Sequence, residues 1–398
     1  MIPQIDKEIG ISVYTTKSPS ISGKIKQNEN DFLVREILSE KTIDSFNNPD
    51  GHGVYLLKKS GVDTNHALKD IEKRYGLVLK SLGLKDANAK TEQYVFTHKK
   101  INSLPEYTGK KYSAQRLGFV KKPISKKDML GNYFEIKVSE LSNPLPSFTG
   151  GEKILNFFGY QRFGSKRPIT HLVGKSIIKG DYEEALEYLL NFSSKYDSEK
   201  NNEMRKLISE RKSETEVIEL LPYSMDIERN LLQQLSKDDD PKNAIRSIPL
   251  QLRRFYIQAY QSFLFNKTLS LANEFEENLF EPEIDDVCFD KNSVLGKFEN
   301  IPEQKLAVPL VGHSYYKKSR FDYYIKKILE EELLTPKDFF IKDFQELSVE
   351  GGFRNTSINY DDFAIDKNLV KFHLSRGSYA TIVLREILKP ANPLDCGF

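Results

Sequence analysis

Gly83-Leu84-Lys85-Asp86-Ala87-Asn88-Ala89-Lys90-Thr91-Glu92-Gln93 is a compact polar loop set between a helical and an extended segment. Loops of that kind, carried on a rigid scaffold, are where reactive groups concentrate. Upstream, Asp63 or Thr64 can cap a helix over 65–75, in which Ala67, Leu68, Ile71 and Tyr75 recur at helical spacing before Gly76 stops it. Downstream, 93–97 reads as a short strand, with others expected at 23–27, 32–37 and 54–58. The clearest strand spans 133–139, where Phe134, Ile136 and Val138 alternate with Glu135, Lys137 and Ser139, so one face is buried. The first 165 residues therefore read as mixed strand and helix. Within the loop Asp86 is the candidate for chemistry, although aspartate is also a favoured turn residue.

The pattern changes beyond residue 165. Charged helices are expected from about 171 to 243, with 237–242, which contains Pro241, as a connection. Residues 249–275 form a long helix that is apolar on several sides through Phe255, Ile257, Ala259, Tyr260, Phe263, Leu264 and Phe265, and it should be enclosed. Short runs broken by Pro282, Pro302, Pro309 and Gly312 fill 278–314, and an amphipathic helix follows near 322–334, so this part reads as an inserted lobe. The last fifty residues return to strand at 369–374 and helix at 379–388, ended by Pro390.

A chain of 398 residues holds two or three domains. It has no leader of basic then apolar residues and no run of about 18 apolar residues, so an intracellular protein is expected. Two distant cysteines, Cys288 and Cys396, indicate neither a disulfide framework nor a thiolate zinc site, and the six histidines lack ligand spacing. The net charge of +2 says little about nucleic acid, whereas its distribution says more. Between 97 and 127, Lys99, Lys100, Lys110, Lys111, Arg116, Lys121, Lys122, Lys126 and Lys127 face one acid, Glu106. Composition there fits a solvated loop as well as an RNA contact.

Gly159-Tyr160-Gln161-Arg162-Phe163-Gly164-Ser165-Lys166 is not a phosphate loop, which needs lysine directly after the second glycine and then a hydroxyl residue. It belongs to a different pattern. Gly83, Lys85, Asp86, Ala89, Thr91 and Gln93 match G-x-K-D-x-x-A-x-T-x-Q, the catalytic signature of the TruD family of pseudouridine synthases. In the same order the family's N-x-F-G-x-Q-R-F-G block resembles Asn156 to Gly164, and its Q-S-x-L-F-N helix resembles Gln261 to Asn266. Its G-S-[YF]-A-T…L-R-E close resembles Gly377 to Thr381 with Leu384, Arg385 and Glu386. Lys26, six residues before Phe32 in Asp31-Phe32-Leu33-Val34, is similar to its N-terminal strand pair. Ser375 stands where the family has proline and Asn30 where it has glutamate, which touches loop details only.

The resemblance implies an α+β protein with a mixed, mainly antiparallel sheet flanked by helices, divided into 1–165 and 350–398 with an α/β lobe inserted at 166–349. It implies a tRNA substrate, isomerised at uridine 13. Asp86 would be the catalytic carboxylate, attacking the ring or acting at the sugar, which requires an ionised, partly desolvated group beside a cation. Lys26 would be that cation, and Lys85 would add positive potential where it faces the same way, which adjacency to Asp86 does not fix. Phe158 and Tyr379 would stack the flipped base, a contact worth roughly 1–3 kcal/mol per base. Phe32 would line the substrate site, Asn156 would orient the base edge or fix the Asp86 loop, and Arg162 with Gln161 would hold a phosphate or the loop backbone. Arg385 is expected to pair within its own helix. No cofactor or metal is expected, since the isomerisation is redox-neutral, and a cytoplasmic monomer is expected. A non-catalytic tRNA-binding or RNA-folding protein on the same scaffold is the alternative.

Overall fold

A computed structural model describes the chain except residues 86, 98–103, 147, 149–150, 211–213, 223 and 316–318 and the side chains of 214–216; the described residues form two sheets. The larger has nine strands. Seven precede the helical region: β1 (Phe32–Leu38), β2 (His52–Lys59), β3 (Leu79–Ser81), β4 (Lys90–Thr97), β5 (Glu106–Gly109), β6 (Tyr112–Val120) and β7 (Met129–Lys137). The smaller sheet holds β8 (Val287–Phe289), β9 (Leu295–Lys297), β10 (Lys305–Leu310) and β11 (Gly352–Asn355). Then β12 (Tyr360–Asp366) and β13 (Leu369–Ser375) complete the larger one in the order β12-β13-β7-β1-β4-β2-β6-β5, with β3 also on β4. The fold is α+β, and within the larger sheet β1 and β4 are the parallel pair, the other described pairs being antiparallel.

That parallel pair positions the loop at 83–89. Its register, Leu33 opposite Lys90 and Val34 opposite Thr91, brings the start of β4 beside the start of β1. Alternation explains the buried face: Phe32, Val34, Phe134, Ile136, Val370 and Phe372 point into one core, with Phe134 centred 6.1 Å from Phe32 and 5.6 Å from Phe372. The helix Ala380–Leu388 lies in that core with every residue buried. Three strand expectations shift: the one at 93–97 begins at Lys90, so the polar loop ends at Ala89. The segment expected at 133–139 pairs from Met129 to Lys137. The strand expected at 23–27 is a single bridge, Lys24 to Ser139, because the Ile25 N–H donates to Cys396 O (2.8 Å) and Lys26 takes a left-handed φ of 57°.

The helix Thr64–Tyr75 keeps its expected ends, with Asp63 accepting from the His66 N–H at 3.0 Å and Gly76 at φ 66°. The long helix Leu250–Glu274 is enclosed, its Tyr256, Ile257, Tyr260, Leu264 and Phe265 all buried. Helix Thr170–Lys179 crosses it backbone to backbone at Gly174, where a Cβ would stand 2.1 Å from the Tyr256 carbonyl oxygen. The connection expected at 237–242 is shorter: helix Asp226–Asp238 ends on left-handed Asp239, and Asp240 already caps helix Pro241–Ser247 by accepting from the Lys242 N–H at 2.8 Å. The helix expected at 322–334 ends at Glu331. No helix among the described residues is long and apolar enough to cross a membrane.

Candidate active site

The 83–89 loop is pinned from both sides. The Gln93 side chain, fully buried, donates from Nε2 to Gly83 O at 3.1 Å, and Thr64 Oγ1 donates to Gln93 Oε1 at 2.8 Å while accepting the Lys85 N–H at 2.9 Å. Beyond residue 86, the Gly61 N–H donates to Ala87 O at 3.1 Å, and Ala89 and Thr91 are buried. Asp86 itself lies outside the described residues, as do Lys99 and Lys100 of the basic segment. The signature thus has a mechanical meaning: its glutamine and small residues seat the loop on β4 and on the helix start.

Lys85 turns onto the sheet. Its Nζ lies 3.1 Å from Glu36 Oε1 and donates to Asn132 Oδ1 at 2.8 Å, and the wholly buried Glu36 side chain accepts the Tyr94 N–H at 2.8 Å through its other oxygen. Its charge is therefore engaged beneath the loop. Lys26 sits elsewhere, with its ammonium 4.8 Å from the centroid of the buried Phe32 ring. Its left-handed backbone, a conformation costing of order 1 kcal/mol for a non-glycine residue, turns the chain out of the sheet here. Lys26, Ala87, Asn88, Gln161 and Lys166 line one cleft of about 460 Å³. Gln161 joins that cleft to the next group by accepting from Thr381 Oγ1 at 3.2 Å.

That group centres on Phe158. Asn266, buried in the long helix, accepts the Phe158 N–H at 2.8 Å and donates to Phe158 O at 3.1 Å and to Ile9 O at 3.0 Å, acting like a neighbouring strand. The Phe158 ring meets Phe265 (5.5 Å) and Tyr379 (6.1 Å) edge to face, while Arg162 lies 5.4 Å and Arg354 4.0 Å from its centroid. Gly159 makes the Tyr379 contact possible, since a Cβ there would stand 2.9 Å from Thr381 Oγ1 and 3.0 Å from Tyr379 Cδ1.

Arg354 has no motif to announce it, and only the pairing of β11 with β10 brings it here. It donates from Nε to Asn156 O (3.1 Å) and from Nη2 to Asn156 Oδ1 (2.8 Å) and Gly377 O (2.9 Å). Asn156, expected at the base edge or the Asp86 loop, spends its amide on this strand, with Nδ2 donating to Asn355 O at 3.2 Å. Burial pushes the Arg354 pKa down to about 10, Tyr379 opposing and Arg162 adding to the shift, so the guanidinium stays charged at neutral pH. Among the described residues, no carboxylate lies within 4.0 Å of the Arg162 or Arg354 guanidinium nitrogens. Two cations thus lie beside one aromatic ring, an arrangement suited to a planar base with a phosphate nearby.

Behind the site, Arg385 pairs within its helix with Glu386 (2.8 Å), as expected, and also with Asp6 (2.6 Å), which in turn accepts from Tyr160 OH at 2.7 Å. Burial dominates the surroundings of Arg385, yet the two carboxylates hold its pKa above the ordinary range. This fully buried network ties the N-terminal segment to the 159–162 turn.

The model of the family described as tRNA pseudouridine synthase D (TruD) matches residues 8–387. A probable tRNA pseudouridine synthase D of Pyrobaculum islandicum is 30% identical over 418 residues, covering 100% of this chain and 99% of the relative. One of Pyrococcus furiosus is 31% identical, with 96% and 99% covered. The crystal structure of a putative tRNA pseudouridine synthase D from Methanosarcina mazei superposes with a TM-score of 0.75 at 27% identity over 99% of both chains. From these matches across its whole length, the chain belongs to the TruD family of tRNA pseudouridine synthases.

Proposed function

We propose that the protein isomerises uridine 13 of tRNA to pseudouridine with Asp86 as its catalytic carboxylate. The reaction breaks the N1–C1′ bond, turns the uracil, forms the C5–C1′ bond, and moves a proton from C5 to N1, so no redox partner enters. The observation that carries the reading is the pair of guanidiniums, Arg162 and Arg354, lying 5.4 and 4.0 Å from the centre of the Phe158 ring that meets Tyr379. In that reading Tyr379, backed by the buried Phe158 ring, holds the unstacked base, Arg162 meets a phosphate, and Lys26, seated over the buried Phe32 ring, borders the sugar. Asn156 orients the array through Arg354, and Lys85 supports the loop from beneath.

The division into 1–165 and 350–398 with an inserted lobe at 166–349 is part of the proposal. It is supported by the larger sheet, whose strands all come from 32–137 and 360–375. A cytoplasmic monomer completes it. The test is Asp86→Asn assayed on an unmodified tRNA transcript by position-resolved pseudouridine mapping. The expected outcome is no product with tRNA affinity within about threefold of wild type, because an uncharged isostere preserves the loop. Turnover by this variant would remove Asp86 from the mechanism. Binding without turnover by the wild-type protein would favour a tRNA-folding role.

A further inference from the structure

Part of the basic segment remains outside the site described above. Lys121, Lys122, Lys126 and Lys127 are exposed, and among the described residues none has a carboxylate within 4.0 Å of its ammonium. The adjacent acid, Asp128, is occupied: it accepts from the Ser125 N–H and Oγ, each at 2.8 Å, and from Thr42 Oγ1 at 3.3 Å. The segment is also held in shape. Ile124 is buried with Leu38, Phe46, Val120 and Met129, and Ser125 with Asp128 forms a capping box.

Its place in the fold gives those charges a direction. Ser375 pairs with Gly131, the Arg376 N–H donates to Leu130 O at 3.1 Å, and the Arg376 guanidinium donates to Lys126 O. The next residue, Gly377, is the one whose carbonyl accepts from Arg354, and Tyr379 follows against Phe158. Four lysines thus lie on a braced turn that is one hydrogen bond from Arg376, on the loop bearing Tyr379. A run of unneutralised lysines suits a strand with one negative charge per nucleotide better than a small ligand.

We propose that residues 121–127 with Arg376 form a phosphate-binding rim that grips the tRNA backbone flanking the nucleoside held at Phe158. This rests on the tRNA reading of the site. The test compares the full-length wild type with Lys121→Ala/Lys122→Ala/Lys126→Ala/Lys127→Ala and with a control, Lys237→Ala/Lys291→Ala/Lys297→Ala/Lys326→Ala. Kd for an unmodified tRNA transcript is measured from low to high salt, and conversion is measured at saturating tRNA. Each lost phosphate contact lowers the magnitude of the log–log salt slope by roughly 0.7–0.9. The rim variant should therefore lose about 3 in slope, the control should keep its slope, and saturated turnover should stay within about twofold. A wild-type slope in the rim variant, or an equal loss in the control, overturns the rim. Failure of the wild-type protein to convert tRNA would instead sink the enzymatic reading on which the rim depends.

Discussion

Replacing Arg354 by lysine keeps the positive charge and removes the fork. The guanidinium makes three hydrogen bonds, at 3.1 Å to Asn156 O, 2.8 Å to Asn156 Oδ1 and 2.9 Å to Gly377 O, with its carbon 4.0 Å from the Phe158 centroid. An ammonium on a flexible stem can serve one of those acceptors well and stacks poorly. Because Arg354 is half-buried, water replaces part of what is lost, so two bonds count at about 1 kcal/mol each and the ring contact at about 0.5 kcal/mol. The total, about 2–3 kcal/mol, is within the margin of a typical domain, and the variant should fold. Catalysis should suffer more, because Asn156 and the Gly377 loop are released together, and a misplacement of about 1 Å costs about 10²-fold. Single-turnover conversion of a tRNA transcript at saturating enzyme reads this directly, with a thermal melt alongside. A folded Arg354→Lys variant turning over within about threefold of wild type would refute the positioning argument.

Removing one member of the Glu36–Lys85 pair strands a charge where the Glu36 side chain is wholly buried. Glu36→Gln or Lys85→Met should each cost about 3–5 kcal/mol in urea titrations, and the double variant distinctly less than their sum; simple additivity would disprove the coupling. Gly159→Ala places a methyl 2.9–3.1 Å from Thr381 and Tyr379, so about 1–3 kcal/mol of stability and most activity should be lost, and a fully active variant would show that Tyr379 can shift freely. Burial among Phe163 and Phe263 lowers the His171 pKa from 6.5 to about 4. The unfolded chain therefore binds the extra proton between those values, and the stability gained by keeping His171 neutral is complete near pH 7 and lost as pH falls through 6.5 toward 4. Wild type should lose about 2 kcal/mol more than His171→Asn between pH 7 and pH 5 in urea titrations, and parallel curves would contradict this.

What was legible in the sequence was local or periodic. Asp63 and Gly76 end a helix through contacts within a few residues, and the alternation at Phe134, Ile136 and Val138 marks a buried face wherever the strand ends. The strand expected at 23–27 was not legible as a bridge, because the partner of Ile25 is Cys396 at the other end of the chain. Arg354 sits between Phe353 and Asn355 with nothing in its neighbourhood to mark it, and its acceptors at Asn156 and Gly377 are far off in sequence.

By itself, then, the order of residues determined the family, the loop that carries Asp86, and the aromatic and basic residues from which a site is built. Tertiary packing alone decided which cations face the Phe158 ring and which, like Lys85, are spent beneath the loop on Glu36 and Asn132. The physical reason is that the direction of a long side chain depends on the charges and carbonyls brought to it by distant segments, and no short-range pattern encodes them.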